Sequence, residues 1–177
     1  MSRMVRESQV SGLRERHWFA QLLLKQLIER LQQQAPRGEA LALRGAVLFH
    51  LYSALVGLAR NAAQNYGVAA AQSLLALPAI AEQFSLAGID SPEMALLNQA
   101  RLEQSDPVCW LEREVMVAHG ASGLARRPTP PSDDNLLGML AEDPYAVLAQ
   151  GDIERLQNAA LRVQELLQQA SAYMEEW

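Results

Sequence analysis

The sequence predicts an all-α protein, a single helical bundle of five to six helices with one Pro-rich loop. Three observations carry this. Of 177 residues, 29 are leucine and 28 alanine, the apolar residues of highest helix propensity. The chain holds only 10 valines, 4 isoleucines and 1 threonine, too few β-branched side chains to cover the pleated faces of a sheet protein. Apolar residues also recur at three- and four-residue spacings near both ends of the chain. Half the residues are hydrophobic and the net charge is −5, which excludes wholesale disorder. The length is that of one domain, expected to span 1–177.

The first helix is predicted from about Val10 to Gln33. Val10, Leu13, His17, Ala20, Leu24, Leu27 and Leu31 form a seven-residue seam. Phe19, Leu22, Leu23 and Ile28 widen it, and Arg14, Arg16, Lys25, Glu29 and Arg30 fall on the outer face. Core burial of Trp18 and Phe19 is expected. Pro36 and Gly38 end the helix. The second helix is predicted over about 39–66. It is nearly all apolar or small from Arg44 to Arg60, so it takes the central place, and Gly45 and Gly57 either allow close helix approach or simply weaken the helix. Gly67 is placed to cap its end. Over 69–87, Pro78 predicts a short turn before it and a helix after it. Ser91-Pro92, Asp106-Pro107 and Asp143-Pro144 each set an N-cap residue before a proline at the first helical position. They predict helices over about 92–104, 107–118 and 144–149. Residues 120–135 read as a Pro/Gly-rich loop within the domain, since its prolines forbid a helix. The last helix is predicted from Asp152, as N-cap, to about Glu175. Ile153, Leu156, Ala160, Val163, Leu167, Ala170 and Met174 repeat the spacing of the first. The two seams either line one core or leave a stretch open for a second subunit or partner.

Charge is uneven. Residues 1–60 hold nine basic and four acidic side chains, whereas 61–177 hold six and sixteen. The basic set is 14 arginines and Lys25, which suits forked pairing with carboxylates or phosphates. An acidic chain with one lysine disfavours nucleic-acid binding. The longest strongly apolar run without charge, Gly45–Ala59, is 15 residues, short of the roughly 20 a membrane span needs. Met1–Gln9 lacks the apolar core of a signal peptide. The single cysteine, Cys109, forms no disulfide within the chain, and a cytoplasmic protein without membrane attachment is expected.

The sequence shows little chemistry. No P-loop, G-x-G-x-x-G, G-x-S-x-G or H-E-x-x-H motif is present. No histidine follows a glutamate at the di-iron spacing, so no metal or cofactor is expected. Cys109 lies in the first turn of a predicted helix, where the dipole favours a thiolate, but Val108 and Trp110 beside it suggest burial. One enzyme-like pattern occurs twice. Metal-independent ribonucleases of the HEPN type carry Arg, four to six residues, then His, and Arg44/His50 and Arg113/His119 fit. Histidine would act as acid–base and arginine would hold phosphate. Roughly 0.7 such matches are expected by chance, and neither arginine is followed by the residue such motifs usually show there, Gly45 and Glu114 taking those places.

The stretch Leu48-Phe49-His50-Leu51-Tyr52, the starts Ser91-Pro92-Glu93 and Asp106-Pro107, the pair Trp110-Leu111 and the closing Glu176-Trp177 resemble a family of small bacterial helical proteins, a domain of unknown function. That resemblance implies an all-helical fold and no activity. It suggests that His50, Tyr52, Trp110 and Trp177 meet in or near the core. The sequence thus points to a non-catalytic interaction or adaptor protein, taking a protein partner or forming a homodimer. Arg14, Arg16, Arg30, Arg126 and Arg127 are the partner-binding candidates. The alternatives are the ribonuclease and a helical bundle that binds a small ligand or anion.

Overall fold

In a computed structural model, six α-helices and a 3-10 turn account for most of the described residues. The structure describes the backbone of 3–120, 148 and 151–175, and the side chains of 12–120, 148 and 151–173. The helices are α1 (Arg3–Gln32), α2 (Arg37–Asn65), α3 (Leu77–Ala87), α4 (Pro92–Leu102), α5 (Pro107–Ala118) and α6 (Asp152–Glu175). The 3-10 turn is Ala69–Ser73. No strand occurs among the described residues.

Local signals set most boundaries. Pro78 lies in the first turn of α3, with the 3-10 turn before it, so the proline divides the 69–87 stretch as expected. Pro92 and Pro107 open α4 and α5. Ser91 Oγ accepts the Met94 N–H at 3.3 Å, and Asp106 Oδ1 accepts the Val108 N–H at 2.9 Å. Gly67 takes φ +73° just beyond α2, and Gly88 takes φ +63° at the end of α3. α1 begins at Arg3, seven residues earlier than Val10. The 120–135 loop beyond Gly120, the start at Asp143-Pro144 and the docking of Trp177 lie outside the described residues.

α1 and α2 form an antiparallel hairpin. Arg16 meets Ser53, Phe19 meets His50 and Arg30 meets Glu39, in reverse order along the two helices. α2 touches every other helix and the 3-10 turn. Its buried face therefore runs almost all the way round, and fifteen of its 29 residues are buried. Among them Leu48, Leu51, Leu55 and Leu58 are fully enclosed. By length and composition α2 is the one described helix apolar enough to cross a membrane, but 61% of its most apolar window is buried within the bundle.

The matching seams close on this helix. Leu13, His17, Ala20, Leu24 and Leu27 of α1 are buried, as are Leu156, Ala160, Val163, Leu167 and Ala170 of α6. So the described part of each seam lines one core, with Leu31 and Ile153 half-buried against it, while Val10 and Met174 lie outside the described side chains.

Gly57 marks the closest approach of the hairpin. A Cβ there would collide with Leu13 Cδ2 and with Arg16 Nη1. Gly57→Val should therefore lower stability by about 1–3 kcal/mol through overpacking. Gly38→Ala should change it little, because nothing lies within 4 Å of its Cβ position. Thermal melts of the two variants check the contrast.

Candidate functional site

α2 carries one charge into the core. Arg44 is only 2% exposed. Its Nε donates to Asp152 Oδ2 at 2.6 Å and its Nη2 to Asp152 Oδ1 at 2.8 Å, a fork on one carboxylate. Nη2 also donates to Glu114 Oε2 at 2.8 Å. Glu114 and Asp152 are equally enclosed, at 5% and 3% exposed. The arginine thus joins α2 to α5 and to the first residue of α6. Burial pulls the Arg44 guanidinium towards losing its proton. Hydrogen bonds and charge from Asp152, then Glu114, more than offset this and hold it above its ordinary value. Asp152 is the first helical residue of α6 rather than its N-cap, and its carboxylate serves Arg44.

Other polar links tie the helices in pairs. His17 Nε2 donates to the Ala160 carbonyl at 2.9 Å, joining α1 to α6. A carbonyl only accepts, so the proton is on that nitrogen. Tyr52 Oη accepts the Leu77 N–H at 3.0 Å, which satisfies an open donor at the start of α3. Arg162 Nε donates to Asp106 Oδ2 at 2.8 Å across α6 and α5, and Arg101 Nε to Glu112 Oε2 at 3.3 Å across α4 and α5. Burial pushes the Tyr52 phenol up, opposed by the Leu77 hydrogen bond and reinforced by Glu112.

The sequence-named residues do not converge. Arg44 and His50 are six residues apart on one helix, about 240° round its axis. Arg44 points to Asp152 and Glu114, whereas His50 sits between Phe19 and Phe49. Arg113 and His119 are split by the same rotation. Arg113 is exposed, and His119 caps α5 and donates Nδ1–H to its own helix at the Val115 carbonyl, 2.8 Å away. Neither pair presents an arginine and a histidine to one phosphate. Cys109 is half-buried and free. Among the described residues, no group of three His, Cys, Asp or Glu side chains is placed to hold a metal.

Of the partner-binding candidates, Arg30 is committed within the chain. Its Nε and Nη2 fork onto Glu39 at 2.6 and 2.9 Å. Arg14 edges a small groove with Leu13, His17 and Leu167. Arg16 leans on α2 and donates to the Ser53 carbonyl at 3.0 Å. Arg126 and Arg127 lie outside the described residues.

Two expectations about aromatic side chains are corrected, the meeting of His50 with Tyr52 and the core burial of Trp18. His50 and Tyr52 are two residues apart, so they point to opposite sides of α2. Tyr52 reaches Leu77, while His50 faces α1. Trp18 is not in the core. It lies one position off seam residue His17, on the outer side, and is 56% exposed. From it a row of rings crosses the hairpin. Trp18 stands 5.3 Å from Phe19, Phe19 5.6 Å from His50 and His50 5.4 Å from Phe49 by ring centroids. Phe49 is 58% exposed and Leu22, one turn from Trp18, is 42% exposed. The His50 Nδ1 is buried in this row without a hydrogen-bond partner.

Two things escaped the sequence reading. Arg44 inside an apolar helix signals buried carboxylates, but not that Glu114 and Asp152 supply them. Phe49 stands among apolar neighbours, and only the register of the hairpin sets it outside.

Compared with known proteins, the chain matches no family model, no curated protein and no solved structure. None of these comparisons bears on the resemblance carried by Leu48–Tyr52 and the two proline starts.

Two outcomes are expected. Arg44→Met, which leaves two buried carboxylates without their cation, should cost about 3–5 kcal/mol of stability. Arg44→Lys keeps the charge but not the fork and should fall between wild type and Arg44→Met; denaturant melts order the three. For Tyr52 the folded phenol is raised, so its contribution is complete below the unfolded value of about 10 and is lost as pH rises through the folded one. Stability of the wild type should therefore drop at alkaline pH. Tyr52→Phe should be less stable at neutral pH by about 1–3 kcal/mol, for an unmet Leu77 N–H, and show a shallower alkaline loss in the same melts.

Proposed function

We infer that this protein is a non-catalytic interaction module that binds another protein chain through the aromatic row on the α1–α2 hairpin. The observation that carries this reading is the exposure of Trp18 and Phe49, joined across the hairpin by Phe19 and His50 and flanked by Leu22. Side chains of this size contribute most to interfaces when they leave water. Among the described residues, whose seams already close on a core, such a row has no folding task to explain it. The backbone beneath it is braced, with α1 tied to α2 at Arg16–Ser53 and to α6 at His17–Ala160. A preformed apolar ridge of this kind suits an apolar helical face on the partner. Arg44 supports the same reading from inside: it is buried, with Nε and Nη2 donating to Asp152 and Glu114, so it is withheld from substrate. A role within the cell, with neither nucleic acid nor membrane as partner, fits the acidic balance of the chain.

A photo-crosslinking amino acid placed at 18, at 49 and, as a control, at the exposed Leu102 of α4 tests this in native cells. Positions 18 and 49 should trap the same protein, a second copy of the chain included, and Leu102 should not. Trp18→Ser combined with Phe49→Ser should abolish the adduct while the far-ultraviolet spectrum stays helical. Equal trapping from all three positions, or none from 18 and 49, contradicts the reading.

A further inference from the structure

Further along the same hairpin, towards the C-terminal end of α2, a cleft opens between α1, α2 and the 3-10 turn. Gly12, Leu13, Arg16, Gly57, Arg60, Asn61, Gln64 and Gln72 line it, and its volume is about 360 Å³. That lies within the roughly 300–1,000 Å³ of small-molecule sites. Among the described residues its lining is one-sided in charge, with two arginines and no carboxylate. Among the described residues Arg60 pairs with no acidic side chain. Arg16 is held in place by its hydrogen bond to the Ser53 carbonyl, 3.0 Å away. It lies over Gly57, where any Cβ would strike Nη1. One guanidinium N–H is thereby fixed on the backbone, and the planar fork keeps further donors for a ligand. A third donor adds to these: the Asn61 Nδ2 is buried and has no acceptor. Two positive charges sharing a concave site repel each other, and a doubly negative group relieves that repulsion.

We propose that this cleft binds a small phosphomonoester, with Arg16 and Arg60 as its charge partners and Asn61 and Gln72 as neutral hydrogen-bonding groups. A bare phosphate would fill only part of the volume, so the ligand carries an organic portion that reaches along the α1–α2 groove. The site uses other residues than the aromatic row and stands independently of it.

The test titrates the full chain with inorganic phosphate and with glycerol 3-phosphate, followed by calorimetry and by thermal melts against sodium chloride of matched ionic strength. Glycerol 3-phosphate should bind saturably at one site, more tightly than phosphate, and raise the melting temperature beyond the salt control. Arg60→Gln, a half-buried and unpaired position, and Gln72→Glu, which sets a carboxylate at the cleft, should each weaken binding by about tenfold or more. Arg155→Gln on the exposed side of α6 should leave it unchanged. Absence of saturable binding by either probe overturns the proposal, and so does undiminished affinity in both cleft variants.

Discussion

A guanidinium that enters the interior of an apolar helix must be met there, and in this bundle it is met by two carboxylates from two other helices. Arg44 leaves α2 among Leu41, Val47 and Leu48, all buried. Taking a charge out of water costs several kcal/mol, and only close, well-directed partners offset that cost. Asp152 provides the fork and Glu114 a third contact, at 2.6–2.8 Å. Apolar packing is tolerant of sliding, whereas these bonds are not. The cluster therefore fixes where α6 begins on α2, and where α5 lies beside both. The apolar seam of α6 then follows in register, from Leu156 through Ala170.

The remaining helices are placed by the same device at smaller scale. Several interfaces add one polar link to their apolar contact. His17 joins the Ala160 carbonyl, Tyr52 meets the head of α3, Arg162 holds Asp106, and Arg101 holds Glu112. These links consume many of the side chains that chemistry would need. The reactive types in the sequence, arginine and histidine above all, are in large part structural connectors here. Among the described residues, both proposed sites are on the hairpin of α1 and α2: a hydrophobic ridge part-way along it and a basic cleft nearer the end of α2. Both depend on α1 lying close to α2, which Gly57 permits.

The fold was legible in the sequence because it is written in local patterns. The spacing of Leu13, His17, Ala20, Leu24 and Leu27 set one buried face, and Pro78, Pro92 and Pro107 marked helix starts that the structure keeps. The apolar run after Arg44 marked the central helix. The candidate surfaces were legible only in part. Trp18 lies one residue from a seam position, and a window of sequence cannot say how wide the buried face is. Its exposure follows from where α2 and α6 flank α1. The partners of Arg44 come from 70 and 108 residues away, a separation that no periodicity reports. Arg16 stood out for its type, but its place beside Arg60 comes from the antiparallel register of the hairpin. Local periodicity thus tells which face is buried, and distant pairing decides what the remaining faces do.

The central claim is that the charge cluster, rather than each of its members, locates α6 on α2. A double-mutant cycle on Arg44→Met and Asp152→Leu tests it most directly, with unfolding free energies read from denaturant melts. The account predicts strong coupling: the double variant loses less stability than the sum of the single variants by about 2 kcal/mol or more, since removing both members leaves no isolated charge on that arm. Single losses that add to within about 0.5 kcal/mol would mean that the two side chains act independently, and would contradict the account.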